Sequence, residues 1–427
     1  MKSPLLVVLL LGLVCACAPH KQILHALHQS ENALQNHVGF ALFDPQSNKM
    51  LVQHQADKYF TPASNTKIFT FYAALRILGD SAIAFKYLPL GDSVIVWGMG
   101  DPSFLYKNVY SNTGAYQFLQ SLPGKIYFSG TNFYTESLGP GWAWDDSPYA
   151  YQAERSAFPV YGNLVEVEKK AEAFSTMPPY FMQHFTVANQ QHEREEVVRG
   201  TDDNQLTYFT GKKPRSKWTI PFRSSPDVVL DLLSDTLKRE VLAADILLSA
   251  EAKTRKSIPT DSLYKIMMQD SDNFIAEQLL LQCAGVLGDS LKPEITIAYV
   301  TKNWLTDLPD KPQWVDGSGL SRYNLFTPRS ITALWNKIYQ RVPQQRLFDL
   351  VAVGGKSGTL KNWYKNETPY IFGKTGTLSN NHVVSGFLRT RKGKIFIFSL
   401  MNNNYLASTN EVRKHMEKIL FTVYNKY

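Results

Sequence analysis

Ser64-Asn65-Thr66-Lys67 places a hydroxyl and an amine three positions apart. On a helix that spacing turns both toward the same side. A lysine held in a partly desolvated place can lose its proton near neutral pH and accept the proton of a serine. Such a serine attacks acyl carbons, provided an oxyanion site and donors for the substrate stand nearby. Ser271-Asp272-Asn273 offers a hydroxyl that can relay protons and an amide side chain that can hold a substrate amide. Lys374-Thr375-Gly376-Thr377 offers a cation and hydroxyls suited to a carboxylate.

Each motif alone is weak. Ser64 reads equally as a helix cap, Lys67 as a solvated helix face and Asn273 as a turn residue. Ser262-Leu263-Tyr264-Lys265 repeats the first pattern, Ser30-Glu31-Asn32 the second, and Lys356-Ser357-Gly358 a variant of the third. Context separates the sets. Residues 38–43 and 50–52 read as a strand pair around a turn, and Thr61-Pro62-Ala63 introduces a helix over 64–77. Ser262 lies too close before Ser271 to be an independent first motif. Lys374 directly precedes a strand pair at 382–388 and 394–400, and Lys356 does not. An amphipathic helix over 408–424 closes the chain. Between the first two motifs, from about 85 to 248, short apolar runs broken by Gly, Pro, Asn and Asp read as β-rich, with a polar stretch over 190–217 and a helix over 225–242. Helical patterns follow over 262–285 and 295–305.

Three further segments narrow the comparison: Gly98-Met99-Gly100-Asp101-Pro102-Ser103, Gly141-Trp142-Ala143-Trp144-Asp145-Asp146 and Val315-Asp316-Gly317-Ser318-Gly319-Leu320-Ser321-Arg322-Tyr323-Asn324. With the three motifs in order, the chain resembles penicillin-recognising serine enzymes. Among them it resembles the D-alanyl-D-alanine carboxypeptidase/endopeptidase family, the class C low-molecular-mass penicillin-binding proteins. The resemblance implies an α/β (α+β) fold: a β-lactamase/transpeptidase-like domain with an antiparallel sheet flanked by helices. It also implies a β-rich insertion between the first and second motifs, somewhat short for the family. The expected division is a lipoprotein signal at 1–17, peptidase segments at 18–84 and 251–427, and the insertion at 85–250.

By the same resemblance Ser64 forms the acyl-enzyme, Lys67 is the acylation base, and Ser271 and Asn273 line the cleft. Lys374 and Thr375 bind the terminal carboxylate, with Gly376 and Thr377 completing that motif. The backbone amides of Ser64 and Thr377 form the oxyanion hole. Ser318 joins the substrate-binding set. Trp142, Asp145 and Arg322 face a diaminopimelate-type side chain, which carries an amine and a carboxylate together. An acid for the amine and an arginine fork for the carboxylate are its complement. The implied partners are peptidoglycan stem peptides, and β-lactams as covalent inhibitors; no cofactor or metal is implied. The rivals are a β-lactamase and a catalytically silent envelope lipoprotein of the same fold. The E-x-x-N element of class A deacylation occurs nowhere in the sequence, nor does a G-x-S-x-G elbow or an H-E-x-x-H zinc motif.

Lys2 and the apolar run after it read as a secretory signal, too short to span a membrane. Val14-Cys15-Ala16-Cys17 resembles a bacterial lipoprotein box with Cys17 as the lipidated residue. Cys15 and Val14 depart from the commonest pattern, and the competing cleavage after Ala18 would leave Pro19 first. The expectation is a chain on the periplasmic side of a bacterial envelope, anchored to a membrane by lipid. Cys283 then stands alone, in a helix interior, as a buried inert thiol. The chain has 427 residues, 44% of them hydrophobic and 19% charged, which fits a globular protein of more than one domain. Its net charge of +8 is scattered. The densest cluster, Lys212, Lys213, Arg215 and Lys217, reads as a solvated loop without a nucleic-acid module, so no nucleic-acid partner is expected.

Overall fold

A computed structural model describes residues 18–109 and 114–427. The expected signal segment and Cys17 lie outside the described residues. The fold mixes α and β structure around a six-stranded sheet in the order Ala352–Val353, Ile371–Leu378, Asn381–Arg389, Ile395–Asn403, His37–Asp44, Lys49–His54. Every neighbouring pair is antiparallel. The central strands are apolar without alternation because both faces are covered. Along Ile395–Asn403, Phe396, Phe398 and Leu400 pack with Val412, Met416 and Leu420 of the C-terminal helix Thr409–Lys426 and with Ile23 and Leu27 of helix Ala18–Leu34. Ile397 points the other way, toward Trp335 and Phe387. Each such fully buried large side chain stabilises the fold by about 1.5–3 kcal/mol.

The opposite face carries the helical layer. Helix Lys67–Ile77 is buried continuously from Lys67 to Ala74, so it lacks a polar stripe. It packs against helix Asn273–Gly288, and Pro328–Tyr339 lies between it and the sheet strands. The helical pattern expected over 262–285 is broken. Thr260–Gln269 forms one helix and Asn273–Gly288 another. Ser271 takes a positive φ of 66°, and the Asp272 carboxylate accepts the Ile275 amide at 2.9 Å as the cap of the second helix. That break puts Ser271 and Asn273 at the open end of the layer.

The intervening region is β-rich. A five-stranded sheet runs Val241–Ala243, Lys125–Ser129, Ser93–Gly98, Ser81–Leu90, Lys253–Pro259, and two three-stranded sheets lie beyond it. Two neighbouring strands of the five-stranded sheet, Ser81–Leu90 and Lys253–Pro259, reach to either side of the interval 85–250. The helix after Ser225 stops at Leu237, where Lys238 turns left-handed so that Val241–Ala243 can join the sheet. The basic cluster is not a free loop: Lys213 closes Leu206–Lys213 and pairs with Glu193, and Lys217 opens Lys217–Pro221 and pairs with Glu168. Cys283 is fully buried in its helix, and burial pushes its thiol up.

Candidate active site

Ser64 sits where the chain leaves the sheet for the helical layer. Ala63 takes a φ of 45°, and Ala63–Thr66 makes a single 3-10 turn that feeds helix Lys67–Ile77. The expected helix is present, with a tighter first turn. Its neighbour Asn65 is buried and locks the turn to the sheet, donating to the Lys374 carbonyl at 3.1 Å and accepting from Ser385.

Lys67 Nζ donates to Ser64 Oγ at 3.0 Å, to Asn273 Oδ1 at 2.6 Å and to the Ser318 carbonyl at 2.6 Å. The three bonds use all the protons of an ammonium. Asn273 Nδ2 donates to the Tyr151 carbonyl at 2.8 Å, which fixes the amide so that its oxygen faces the lysine. Two of the three partners are therefore acceptors only. When Lys67 is neutral its two protons stay on those acceptors, and the lone pair faces the one neighbour that can donate, Ser64 Oγ–H. Burial pulls the Lys67 pKa down to about 8, although the charges of Asp316, Glu277 and Asp272 act to raise it.

The Ser318 carbonyl is held from both sides. The Ser318 amide donates to Glu277 Oε1 at 2.7 Å, and the preceding carbonyl, of Gly317, accepts from Thr70 Oγ1 at 2.7 Å. Asp316 shapes the rest of the loop. Its buried carboxylate accepts the amides of Gly319 and Ser321, the Asn324 side chain and the Trp142 indole, at 2.7–3.0 Å. Gly319 has a φ of 86°, and a Cβ there would stand 1.9 Å from the Ala63 carbonyl. Only glycine lets this loop close on the serine turn. Burial and Asp316 raise the Glu277 carboxyl, opposed by Arg155, whose guanidinium lies 3.6 Å away.

Lys374 lies within strand Ile371–Leu378, not ahead of the strands as expected; this is a third strand beside the pair. It is fully buried, and its Nζ donates to Ser271 Oγ at 2.7 Å and to the Thr375 carbonyl at 2.8 Å. Burial, then the nearby Lys67, hold its pKa well below the lysine range. Thr375 Oγ1 donates to Thr359 Oγ1 at 2.7 Å. A Cβ on Gly376 would meet the Pro62 carbonyl and the Ser64 amide nitrogen at 2.7 Å each, so this strand passes directly against the Ser64 backbone. His382, driven to about 3 by burial and Arg413, is neutral. Its Nε2 faces Arg413, so its Nδ1–H donates to Thr377 Oγ1 at 2.8 Å. The outer neighbour Ala352–Val353 pairs only with Gly373 and Phe372, and among the described residues the strand edge beyond Gly373 has no strand partner there.

The remaining expected residues divide. Ser318 is fully buried and meets the site through its carbonyl; its hydroxyl accepts the Leu320 amide at 3.4 Å, so a side-chain role on substrate does not fit. Trp142 is half-buried and committed to Asp316. Asp145 and Arg322 are exposed, and no hydrogen bond or ion pair engages either side chain among the described residues. Their loops touch: a Cβ on Gly141 would meet the Tyr323 ring at 2.7 Å and Ser321 Oγ at 3.0 Å. The decoy Lys265 is exposed on helix Thr260–Gln269. Sequence reasoning missed the pair Glu277–Arg155, the Tyr106 hydroxyl donating to Asp272 at 2.8 Å, and the Tyr151 carbonyl. Of these only Glu277 left a sign, as a lone acid within the apolar run 274–285.

Residues 20–423 match the D-Ala-D-Ala carboxypeptidase 3 (S13) family. The D-alanyl-D-alanine carboxypeptidase DacB of Haemophilus influenzae is 22% identical over 419 residues, covering 87% of this chain and 86% of its own. The solved structure of penicillin binding protein 4 (dacB) from Haemophilus influenzae superposes with a TM-score of 0.76 at 18% identity, over 93% of this chain and 99% of that one. A predatory endopeptidase from Bdellovibrio bacteriovorus, in complex with an immunity protein, shares the fold at a TM-score of 0.52 and 14% identity, over 91% and 93% of the two chains. With the match running through all three motifs, the chain belongs to the D-Ala-D-Ala carboxypeptidase 3 (S13) family.

Proposed function

We infer that this chain is a serine-type D-Ala-D-Ala carboxypeptidase, with DD-endopeptidase action on cross-linked stem peptides, working through an acyl-enzyme on Ser64. The observation that carries the reading is the bonding of Lys67, whose neutral amine has one available donor, Ser64 Oγ–H. In acylation Ser64 Oγ bonds to the penultimate D-alanine carbonyl carbon as its proton passes to Lys67. The carbonyl oxygen becomes an oxyanion beside the amides of Ser64 and Thr377. Ser271 Oγ accepts from Lys374, so its own proton is free to pass to the leaving amine as the C–N bond breaks, and the proton held by Lys67 replaces it, leaving both groups as they began. Water then attacks the ester, releasing the shortened peptide and returning the proton to Ser64. Lys374 and Thr375 receive the terminal carboxylate, whose arrival favours the charged lysine. The same steps on a β-lactam leave a penicilloyl ester on Ser64.

A β-lactamase reading is weaker. Among the described residues, the side chain bonded to Ser64 Oγ is that of Lys67, and no carboxylate touches it to activate water. Digestion of purified peptidoglycan by the soluble chain, with products identified by mass spectrometry, tests the assignment. Release of D-alanine or loss of cross-links supports it; intact stem peptides in the presence of chain that takes up no penicillin would refute it.

The basic charge and family fit a cell-wall substrate. We place the chain on the periplasmic side of a bacterial envelope, held by lipid on Cys17. No helix among the described residues is long and apolar enough to cross a membrane. Fractionation of Cys17→Ala tests the anchor: persistence in the membrane fraction would rule it out.

A further inference from the structure

On the sheet edge farthest from strand Ile371–Leu378, helix Ala18–Leu34 crosses strand Lys49–His54. His28 and Glu31 stand one helical turn apart, so their side chains leave the same face. His54 ends the strand. Glu31 Oε2 lies 3.1 Å from His54 Nε2 and 3.9 Å from His28 Nδ1. The three ligand atoms all fall within 4.8 Å of one another. Donors around a tetrahedral zinc, each about 2.0–2.1 Å from the metal, sit roughly 3.3 Å apart. A small turn of the exposed His28 ring would bring the set to that spacing.

The carboxylate is already aimed. Glu31 Oε1 accepts from Gln55 Nε2 at 2.6 Å and from the Val38 amide at 3.4 Å, which turns Oε2 toward the two imidazoles. Outer bonds of this kind orient a metal ligand before the ion arrives. Two imidazole nitrogens and one carboxylate oxygen form a borderline donor set that suits zinc over magnesium or calcium. The exposed side of His28 leaves room for water as a fourth ligand.

We propose that His28, Glu31 and His54 bind a divalent transition-metal cation, zinc by donor type, that fastens the N-terminal helix to the edge of the sheet. Three strands separate Lys49–His54 from the strand carrying Lys374, so the ion stabilises the fold and takes no part in acyl transfer. Binding to the folded chain raises its stability by mass action.

The test uses the untagged full chain in detergent, stripped with chelator and titrated with zinc chloride. The expected result is one zinc per chain after dialysis and a higher unfolding temperature. His28→Ala and Glu31→Gln should each weaken zinc binding about tenfold or more and remove the thermal shift. His28 is exposed, so its replacement spares folding, and unchanged fluorescent-penicillin labelling of Ser64 confirms that each variant is folded. Failure of the wild-type chain to retain zinc overturns the proposal. So does zinc binding with an equal thermal shift in both variants.

Discussion

Glu277 Oε1 accepts the Ser318 amide at 2.7 Å, and the carbonyl of that same Ser318 is where Lys67 rests. The acid therefore positions Lys67 without touching it. Its charge also acts to raise the Lys67 pKa. Glu277→Gln keeps an oxygen for Ser318 and removes the charge. Penicillin acylation by this variant should reach half its plateau at lower pH than the wild-type chain. A rate profile lowered at every pH with an unmoved midpoint would mean that Glu277 serves only to hold the loop.

The wild-type profile has its own sign. Lys67 accepts a proton only when neutral, so acylation should rise with pH through about 8 and level off above it. Stability follows the same group. The unfolded lysine titrates near the ordinary 10.5, above the folded value of about 8. The folded state thus carries a cost that is fully present below about 8 and relieved as pH climbs toward 10.5. The cost is on the order of 3 kcal/mol at neutral pH. Lys67→Met should lose acylation by about 10³-fold or more and unfold no more easily than wild type at pH 7. Acylation within tenfold of wild type would remove Lys67 from the role of base.

Ser64→Ala should keep the fold, since Ser64 is only partly buried and, among the described residues, its hydroxyl bonds to the lysine alone. Both peptidase activity and the covalent penicilloyl adduct should vanish, measured by intact-mass spectrometry. An adduct of the same mass on the variant would place the nucleophile elsewhere.

Deacylation of penicillin should be slow. No E-x-x-N glutamate exists in the chain, and Ser64 has no carboxylate among its hydrogen-bond partners in the described residues. The adduct should outlast removal of free drug, followed by mass over time. Rapid steady-state turnover of penicillin would favour the β-lactamase reading.

The three motifs were legible because each is local: a few residues carry their own spacing, and the flanking strands and helices singled out the copies that the fold brings together. The C-terminal strand pair was legible from its apolar runs, and the antiparallel sheet as a whole followed from the family resemblance. Helix Ala18–Leu34 was not read, although Ile23, Leu27 and Leu34 hold a buried face at helical spacing; its many His and Gln residues masked the period. The break at Ser271 was hidden because a left-handed serine has no compositional mark. Lys374 read as a residue ahead of the strands since a buried lysine inside a strand defies propensity. What supports the motifs is long-range: Asn273 meets Tyr151, Asp272 meets Tyr106, and Asp316 meets Trp142. Nothing in linear spacing joins those pairs.

The proposed reading of Asp145 and Arg322 is that they hold a zwitterionic substrate branch. Both are exposed and uncommitted among the described residues, on loops that touch each other, and the segment after Asp145 reaches the Lys67 partner Asn273 through the Tyr151–Asn273 bond. Asp145→Ala and Arg322→Ala should each lower kcat/KM about tenfold on peptides with a free diaminopimelate-type end, the loss of one charged hydrogen bond. Neither should change acylation by benzylpenicillin, which lacks that group. Trp142 behaves differently because its indole belongs to the Asp316 network. Trp142→Phe should slow both substrates, through the loop that carries the Ser318 carbonyl. A Trp142→Phe loss confined to the zwitterionic peptide would return the indole to substrate contact. Equal losses on both substrates for Asp145→Ala or Arg322→Ala would show that those residues hold the loops rather than the ligand.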